Sequence, residues 1–240
     1  MPLPKIDVPT YELVLPLTKK KIKFRPFLVK EQKNLLMAME SDDSETVHNS
    51  IKDILNNCTL TEDVVIDKLP ILDVEYYFIN LRAKSVGEVV EAKYRCNNDV
   101  GEKICGNVME VNLNLTDINL SGEVSEEDIQ LTDKIFVKMK YPEFYVVKDS
   151  INLNSVDMVT FNMIAESIEY LYDGEQYYYA HEAQPGEFLH FIENLNQAQF
   201  EKLEEFFNDL PKLKKDVEIK CNKCGFDHSI EVEGLESFFV

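Results

Sequence analysis

The stretch DVEIKCNKCGFDHSIEVEGL, residues 216–235, carries the strongest structural signal in this sequence of 240 residues. Apolar and polar residues alternate on both sides of Cys221-Asn222-Lys223-Cys224, and Gly225 follows the second cysteine. This pattern predicts two strands joined by a tight turn that directs two thiols toward one ion. We therefore expect a zinc knuckle at the tip of the last hairpin.

An earlier predicted hairpin carries a second pair of cysteines. Residues alternate in EVVEAKYRC (88–96) and in NVMEVNLNL (107–115), which predicts two strands with Cys96 and Cys105 in the loop between them. The two hairpins together would supply four thiolates to one structural Zn²⁺ ion, which leaves no open position for a substrate. The proposed ligands are Cys96, Cys105, Cys221 and Cys224.

The sequence also allows other roles for these cysteines and for His228. Eight residues separate Cys96 from Cys105, whereas a tight knuckle has roughly two to four, so the alternative is a set of reduced, buried thiols. His228 is either a replacement ligand or a polar residue flanking a strand. Cys58 follows a predicted helix and is expected to be a core thiol.

A shared metal site would constrain the topology of the chain. Residues 106–220, which connect the two cysteine pairs, would have to begin and end at the site. We expect an α+β fold of antiparallel hairpins and helices, with a split zinc-ribbon-like module formed by the two cysteine-tipped hairpins. Residues 1–86 would form a β-hairpin plus helices, residues 87–115 with 214–240 the split module, and residues 116–213 an inserted α/β subdomain.

The remaining elements follow from hydrophobic periodicity. In the N-terminal part we predict a hairpin from residues 11–17 and 21–28, and helices over about 29–40, 44–56 and 72–86. In the inserted part we predict an exposed loop over 116–130, a strand over 135–147, a long helix over 155–172, a strand over 175–180 and helices over 185–195 and 196–210. On the third helix, Asp73, Glu75, Asn80, Arg82 and Lys84 are expected on the side away from the core.

Composition excludes several classes of protein. Forty-four acidic against 25 basic side chains give a formal charge of −19, which opposes attraction to nucleic acid or to anionic membranes. No apolar run reaches the ~18 residues of a membrane span, and the N-terminus lacks a signal-peptide pattern. We expect a cytoplasmic protein with no membrane partner, and five cysteines argue against a secreted disulfide framework.

The motifs of common enzymes are absent from the sequence. It contains no glycine-rich phosphate loop, nucleophile elbow or kinase signature. His181-Glu182 begins like a zinc-protease helix, but Pro185 stands where the second histidine is needed. We therefore expect no enzymatic activity and no small-molecule substrate. An enzyme acting on the cell wall would have only scattered carboxylates to use.

Four segments stand out when they are taken together: KFRPFLVKEQKNLLMAME (23–40), LPILDVEYYFINLRAKSVGEVVE (69–91), the first cysteine-tipped hairpin and DVEIKCNKCGFDHSIEVEGLESFF (216–239). In this order they resemble the T4-type bacteriophage baseplate hub subunit family. The resemblance implies a protein made in the host cytoplasm that binds other baseplate or tail proteins while a contractile tail is assembled. It implies either a component of the virion tail baseplate or a transient assembly chaperone absent from the virion, and it offers no catalytic residues.

Two short segments are candidate contact sites for such partners. In Arg25-Pro26-Phe27 the proline fixes φ between a cation and a large ring, which would suit a rigid contact edge. Arg82 and Lys84 would project from the third helix. The alternatives are a core phenylalanine beside a surface arginine, and two solvated cations.

The lysines of the first hairpin allow two interpretations. The segment from Lys19 to Arg25 would either seat an acidic partner surface or protect an edge strand from unwanted pairing.

A zinc-ribbon adaptor for nucleic acid is the alternative function of another class, since ribbons often bind nucleic acid. The net negative charge of the chain opposes this alternative.

Overall fold

The computed structural model describes residues 6–41, 43–101, 103–122, 127–146 and 156–233. Within these ranges the fold is a mixture of helices and antiparallel sheets, which confirms the predicted α+β class. Residues 234–240, which are predicted to belong to the split module, lie outside the described ranges. In the described part of the chain, no helix has the length and apolar character needed to cross a membrane.

The N-terminal part is a hairpin followed by helices, as predicted. Its elements are β1 (Tyr11–Val14), β2 (Lys21–Phe24), α1 (Val29–Met39), α2 (Ser44–Cys58), a 3₁₀ turn (Ile66–Lys68) and α3 (Ile71–Ser85). The apolar faces of these elements meet in one core, in which the ring of Phe24 packs edge-on against Tyr77 with the ring centroids 5.4 Å apart.

Helix α3 connects this core to the cysteine-bearing hairpins. Tyr77 and Phe78 face the N-terminal core, whereas Ile79 and Ala83 pack against the strands that follow the helix. The expectation that Asp73 faces solvent is wrong. Its carboxylate is fully buried and accepts hydrogen bonds from the Leu17 N–H at 2.8 Å and the Thr18 N–H at 2.9 Å.

The two cysteine-tipped hairpins belong to separate sheets. Strand β3 (Val89–Arg95) pairs with β4 (Val108–Asn114), and the two form an isolated ladder among the described residues. Strand β10 (Lys212–Lys220) pairs with β11 (Asp227–Glu233) on one edge and with β5 (Asn119–Ser121) on the other. Alternate residues of both ladders pack on the second face of α3.

The inserted part forms a four-stranded antiparallel sheet covered by helices. The strand order is β6 (Ile129–Gln130), β7 (Phe136–Met139), β8 (Ile168–Tyr172) and β9 (Tyr177–Tyr179). The helices are α4 (Val156–Glu166), α5 (Glu187–Glu193) and α6 (Gln197–Asn208). Their apolar side chains share a core of their own with the inner face of the sheet.

The predicted long helix over 155–172 is wrong. The helix ends at Glu166, and β8 begins at Ile168. Ile164, Ile168 and Leu171 repeat at helical spacing, but Ile168 and Leu171 reach the core from a strand that has a bulge at its start. The Ser167 carbonyl accepts the Lys140 N–H at 2.7 Å, so pairing with β7 replaces the next helical turn.

Two further predictions in this part need correction. The strand expected over 135–147 ends at Met139, and residues 144–146 are helical. The loop expected over 116–130 contains the end of a 3₁₀ turn (Leu115–Asp117) and the short strands β5 and β6. Strands of two or three residues carry too little periodicity to be recognised in a polar sequence.

Candidate metal centre

The first cysteine pair is positioned by the loop between β3 and β4. The Cys96 N–H donates to the Asn107 carbonyl at 2.8 Å, and the Gly106 N–H donates back to the Cys96 carbonyl at 3.0 Å. The Cys105 N–H donates to the Asn98 carbonyl at 2.8 Å, which folds the long loop back on itself. These bonds bring Cys96 and Cys105 to one end of the hairpin despite the eight residues between them.

The second pair lies on a tight turn between β10 and β11. The Cys221 N–H donates to the Phe226 carbonyl at 2.8 Å, and the Gly225 N–H donates to the Cys221 carbonyl at 2.9 Å. Gly225 adopts a φ of +73°, a left-handed conformation that glycine reaches without a Cβ clash. The turn is therefore shaped as the Cys-x-x-Cys-Gly pattern predicts.

The four sulfurs converge although they come from distant parts of the chain. The Cys96 and Cys224 Sγ atoms are 3.6 Å apart, the Cys105 and Cys221 Sγ atoms are 3.9 Å apart, and all four lie within 4.8 Å of one another. A tetrahedral ion with metal–sulfur bonds of about 2.3 Å needs sulfurs about 3.8 Å apart. The arrangement is thus compatible with a metal site of four thiolates, three of which belong to buried residues.

Polar side chains around the sulfurs complete the site. The His228 Nε2 atom lies 3.1 Å from the Cys96 sulfur, and His228 is buried against the rings of Tyr94 and Phe226. The side-chain amide of Asn107 donates to the Cys221 sulfur at 3.5 Å, and that of Asn98 donates to the Cys224 sulfur at 3.6 Å. N–H groups directed at sulfur stabilise thiolates and orient metal ligands.

The local electrostatics differ between the two hairpins. Backbone N–H groups of Cys224 and Lys223 donate to the Cys221 sulfur and lower the pKa of that thiol to about 6. The Phe226 N–H likewise lowers the pKa of Cys224. Burial raises the pKa of Cys96 to about 12 when no ion is bound. An ion bound to all four sulfurs would have to displace the proton of Cys96.

The side chains outside the four-sulfur set take other places. Cys58 is fully buried in the N-terminal core, as predicted, and burial raises the pKa of its thiol to about 11. The His228 ring touches the Cys96 sulfur and lies outside the set of four clustered cysteines. The sequence did not predict that Asn98 and Asn107 would donate to the cysteine sulfurs. Only their positions near the cysteines of the first hairpin could have indicated this role.

Arg25 and Phe27 lie largely inside the N-terminal part. The Arg25 guanidinium is 3.0 Å from the carboxylate of the buried Glu31, and the Phe27 side chain packs in the core. The Phe27 backbone N–H donates a hydrogen bond to the Ser85 hydroxyl at 3.0 Å. This placement favours the alternative of an internal role for the Arg-Pro-Phe segment.

Arg82 and Lys84 lie in the last turn of α3 with different surroundings. Arg82 is half-buried, burial lowers its pKa, and no described residue bonds its Nη1 atom. Lys84 is exposed; its Nζ atom is 2.7 Å from the Glu88 carboxylate and 5.8 Å from the centre of the Tyr11 ring. The structure therefore does not bring the four predicted contact residues together into one solvated patch.

Comparison with known proteins gives a consistent match over nearly the whole chain. A family model described as T4 bacteriophage base plate protein matches residues 8–240. The chain is 25% identical to the baseplate hub assembly protein gp26 of Enterobacteria phage T4 over 231 residues, which covers 91% of this chain and 92% of that protein. No solved structure matches the chain.

Proposed function

The chain belongs to the T4 bacteriophage base plate protein family, and from this membership we propose that it acts in assembly of the baseplate hub. The observation that carries the proposal is the similarity to a baseplate hub assembly protein over 91% of the chain, within a family match over residues 8–240 that includes both cysteine pairs and the part between them. A match confined to the cysteine hairpins would indicate only a shared module. The protein would act in the host cytoplasm through contacts with other baseplate or tail proteins.

A non-catalytic role fits the chemistry of the described residues. The four cysteines would fill all the positions of a tetrahedral ion, which would leave no place for water or substrate. The histidines give no support for a shared catalytic group: His181 and His190 are exposed on separate segments, and His48 and His228 are buried apart.

Zn²⁺ is the ion that we propose for the cysteine site. Four thiolates at tetrahedral spacing select zinc or an iron–sulfur centre, and zinc is the usual occupant of two cysteine-tipped hairpins. Its role would be structural, since it would join β3–β4 to β10–β11 where no strand pairing joins them among the described residues.

The separate cores support a division of the chain into three units. Residues 1–86 would form the first, residues 87–115 with 214–240 the metal module, and residues 116–213 the insertion. One cluster of buried side chains belongs mainly to the first unit and another to the insertion, while α3 contributes to the cluster beneath the metal module.

Genetic complementation tests the proposed function. A phage with this gene deleted should accumulate incomplete hubs, and the wild-type protein supplied from a plasmid should restore complete baseplates, as measured by sedimentation and electron microscopy. Normal baseplates without the protein would contradict the proposal. Mass spectrometry of purified tails and of the infected-cell lysate distinguishes a virion component, found in both at fixed stoichiometry, from a transient chaperone found only in the lysate.

Metal analysis of the freshly purified protein tests the ion. We expect about one equivalent of zinc per chain, and well under one in the Cys221→Ser variant. Cys58→Ser is the matched control, because Cys58 is a buried thiol outside the site and its loss should leave the zinc content unchanged. Iron with visible absorbance, or wild-type protein without metal, would refute the zinc proposal.

A further inference from the structure

The outer face of the inserted sheet carries a row of aromatic side chains. Tyr172 lies opposite Phe136 on one neighbouring strand and opposite Tyr177 on the other, and Tyr170 lies opposite Tyr179. Residues directly opposite one another in antiparallel strands share a face. We call these five residues the aromatic face. Val137 and Leu171 alternate with them and point into the core.

The rings of the aromatic face contact one another across three strands. Tyr172 and Tyr177 stack with their centroids 4.6 Å apart, and Tyr170 meets Tyr177 edge-on at 5.3 Å. Tyr177 and Tyr179 are nearly parallel at 5.9 Å and are 51% and 38% exposed. They lie on β9, an edge strand of the sheet. Phe136, Tyr170 and Tyr172 are partly buried, so the part of the aromatic face that the described chain leaves open to solvent is centred on β9.

The aromatic face lies in an acidic part of the sequence, and the Tyr170 hydroxyl donates to the Asp128 carboxylate at 3.0 Å. Residues 149–201 contain ten aspartates and glutamates and no lysine or arginine, and β8 and β9 lie within that stretch. Lys138 lies opposite Tyr170 on the same face, but its Nζ atom is paired with Asp128 at 3.9 Å. Burial, the Asp128 carboxylate and the Glu169 charge together raise the pKa of Tyr170 to about 12.

We propose that the aromatic face docks an arginine-bearing segment of another baseplate or tail protein. A guanidinium plane stacks on tyrosine rings and is attracted to their faces, and the surrounding carboxylates add a long-range attraction for a cation. Tyrosine is also among the residues most often found at the energetic centre of protein interfaces. An acidic partner or a phosphate backbone would be repelled by the same charges.

This inference rests on the proposed function for the identity of the partner, but its chemistry can be tested separately. The probe is a short peptide of alternating arginine and glycine, titrated against the full-length protein by calorimetry. Peptides with lysine or with citrulline in place of arginine serve as ligand controls, because lysine keeps the charge without the plane and citrulline keeps the shape without the charge.

Two variants separate the aromatic face from the rest of the strand. Tyr177→Ser/Tyr179→Ser should bind the arginine peptide about tenfold more weakly, whereas Tyr177→Phe/Tyr179→Phe should bind like the wild type. Tyr178→Ser is the matched control, since Tyr178 lies on the same strand opposite Leu171 and points to the other face. Equal binding by the double serine variant, or equal binding of the lysine or citrulline peptide, would overturn the inference.

Complementation separates the failure of this inference from that of the proposed function. If the wild-type protein restores hub assembly and the folded double serine variant restores it equally well, the aromatic face is not the docking surface and the function stands. If the wild-type protein has no effect on hub assembly, the proposed function fails whatever the peptide titration gives.

Discussion

Asp73 fixes the position of the first hairpin relative to α3. Besides the two backbone N–H groups, its carboxylate accepts the Thr18 hydroxyl at 2.7 Å, and the side chain is fully buried. Asp73→Asn would place an amide NH₂ against these donors. We expect a loss of about 2–3 kcal/mol in the free energy of unfolding, measured by urea denaturation.

Asp53 offers the control for this experiment. It lies on the exposed side of α2, so Asp53→Asn should change the stability by less than about 0.5 kcal/mol. Equal effects of the two substitutions would contradict the role assigned to Asp73. The sequence could not predict this role, because a carboxylate in the first turn of a helix is typical of a solvated residue stabilised by the helix dipole.

His228 lies against the Cys96 sulfur, so we expect it to support a metal site without being a ligand. Its ring N–H can donate to the Cys96 sulfur only if Nε2 carries the proton, and this bond would stabilise the buried thiolate. We expect His228→Ala to weaken metal affinity about tenfold or more, as measured by competition with a chromogenic chelator. His181→Ala, at an exposed position, should leave the affinity unchanged.

An unchanged affinity in His228→Ala would mean that the cysteines alone set metal binding. The cysteine site itself could be predicted because thiols at knuckle spacing are rare in a chain of ordinary composition. Its polar surroundings could not, because asparagines and a histidine are common in loops and only the fold brings them to the sulfurs.

At the scale of elements, the connection between β2 and α1 depends on one buried carboxylate. Burial would raise the pKa of Glu31, but the bonds from Arg25 and from the Leu28 N–H outweigh it and hold the pKa below the ordinary value. The folded state therefore favours ionised Glu31. Its contribution to stability is present above the unfolded pKa of about 4.3 and is lost as the pH falls through the folded pKa.

Glu31→Gln should consequently destabilise the protein most near neutral pH. We expect the difference in urea midpoint between wild type and variant to shrink as the pH is lowered from about 7 to about 3. Glu12→Gln is the control: Glu12 pairs with Lys21 on the surface, where both side chains are more than half exposed and solvent screens the pair. A difference independent of pH would show that Glu31 does not act through its charge.

The elements differ in how well periodicity predicts them. Helices α1, α2 and α3 start and end within about two residues of the predicted bounds, because apolar residues recur at helical spacing in each. A polar break separates α1 from α2, and Gly87 follows α3. The prediction of one helix over 155–172 fails because the spacing of Ile164, Ile168 and Leu171 fits both a helix and a helix followed by a bulged strand. The pairing of β8 with β7, which is distant in sequence, and with the adjacent β9 decides between them.

At the scale of the whole molecule, the sequence predicts that the two cysteine-tipped hairpins meet, but it does not predict which residues form the aromatic face. Cys105 and Cys221 are 116 residues apart and still meet, as expected if one ion takes thiolates from two distant hairpins. The aromatic face had no comparable signal. Three consecutive tyrosines predict a strand, but which of them share a face with Tyr170 and Tyr172 depends on the register of β8 with β9.

Removal of the metal should therefore affect the whole chain and not only the two hairpins. An ion at the four sulfurs closes a loop of more than a hundred residues, and a crosslink of that size restricts the unfolded chain by about 4–5 kcal/mol in the loop-entropy model. For a chain of this length, we expect a chelator to lower the thermal midpoint by roughly 10–20 °C, measured by circular dichroism. The Cys221→Ser variant should start near the lower midpoint and show no further shift with chelator, whereas Cys58→Ser should respond like the wild type. A wild-type midpoint that is independent of chelator, in protein shown to have lost its ion, would mean that packing beneath the hairpins, and not the metal, joins the two ends of the insertion.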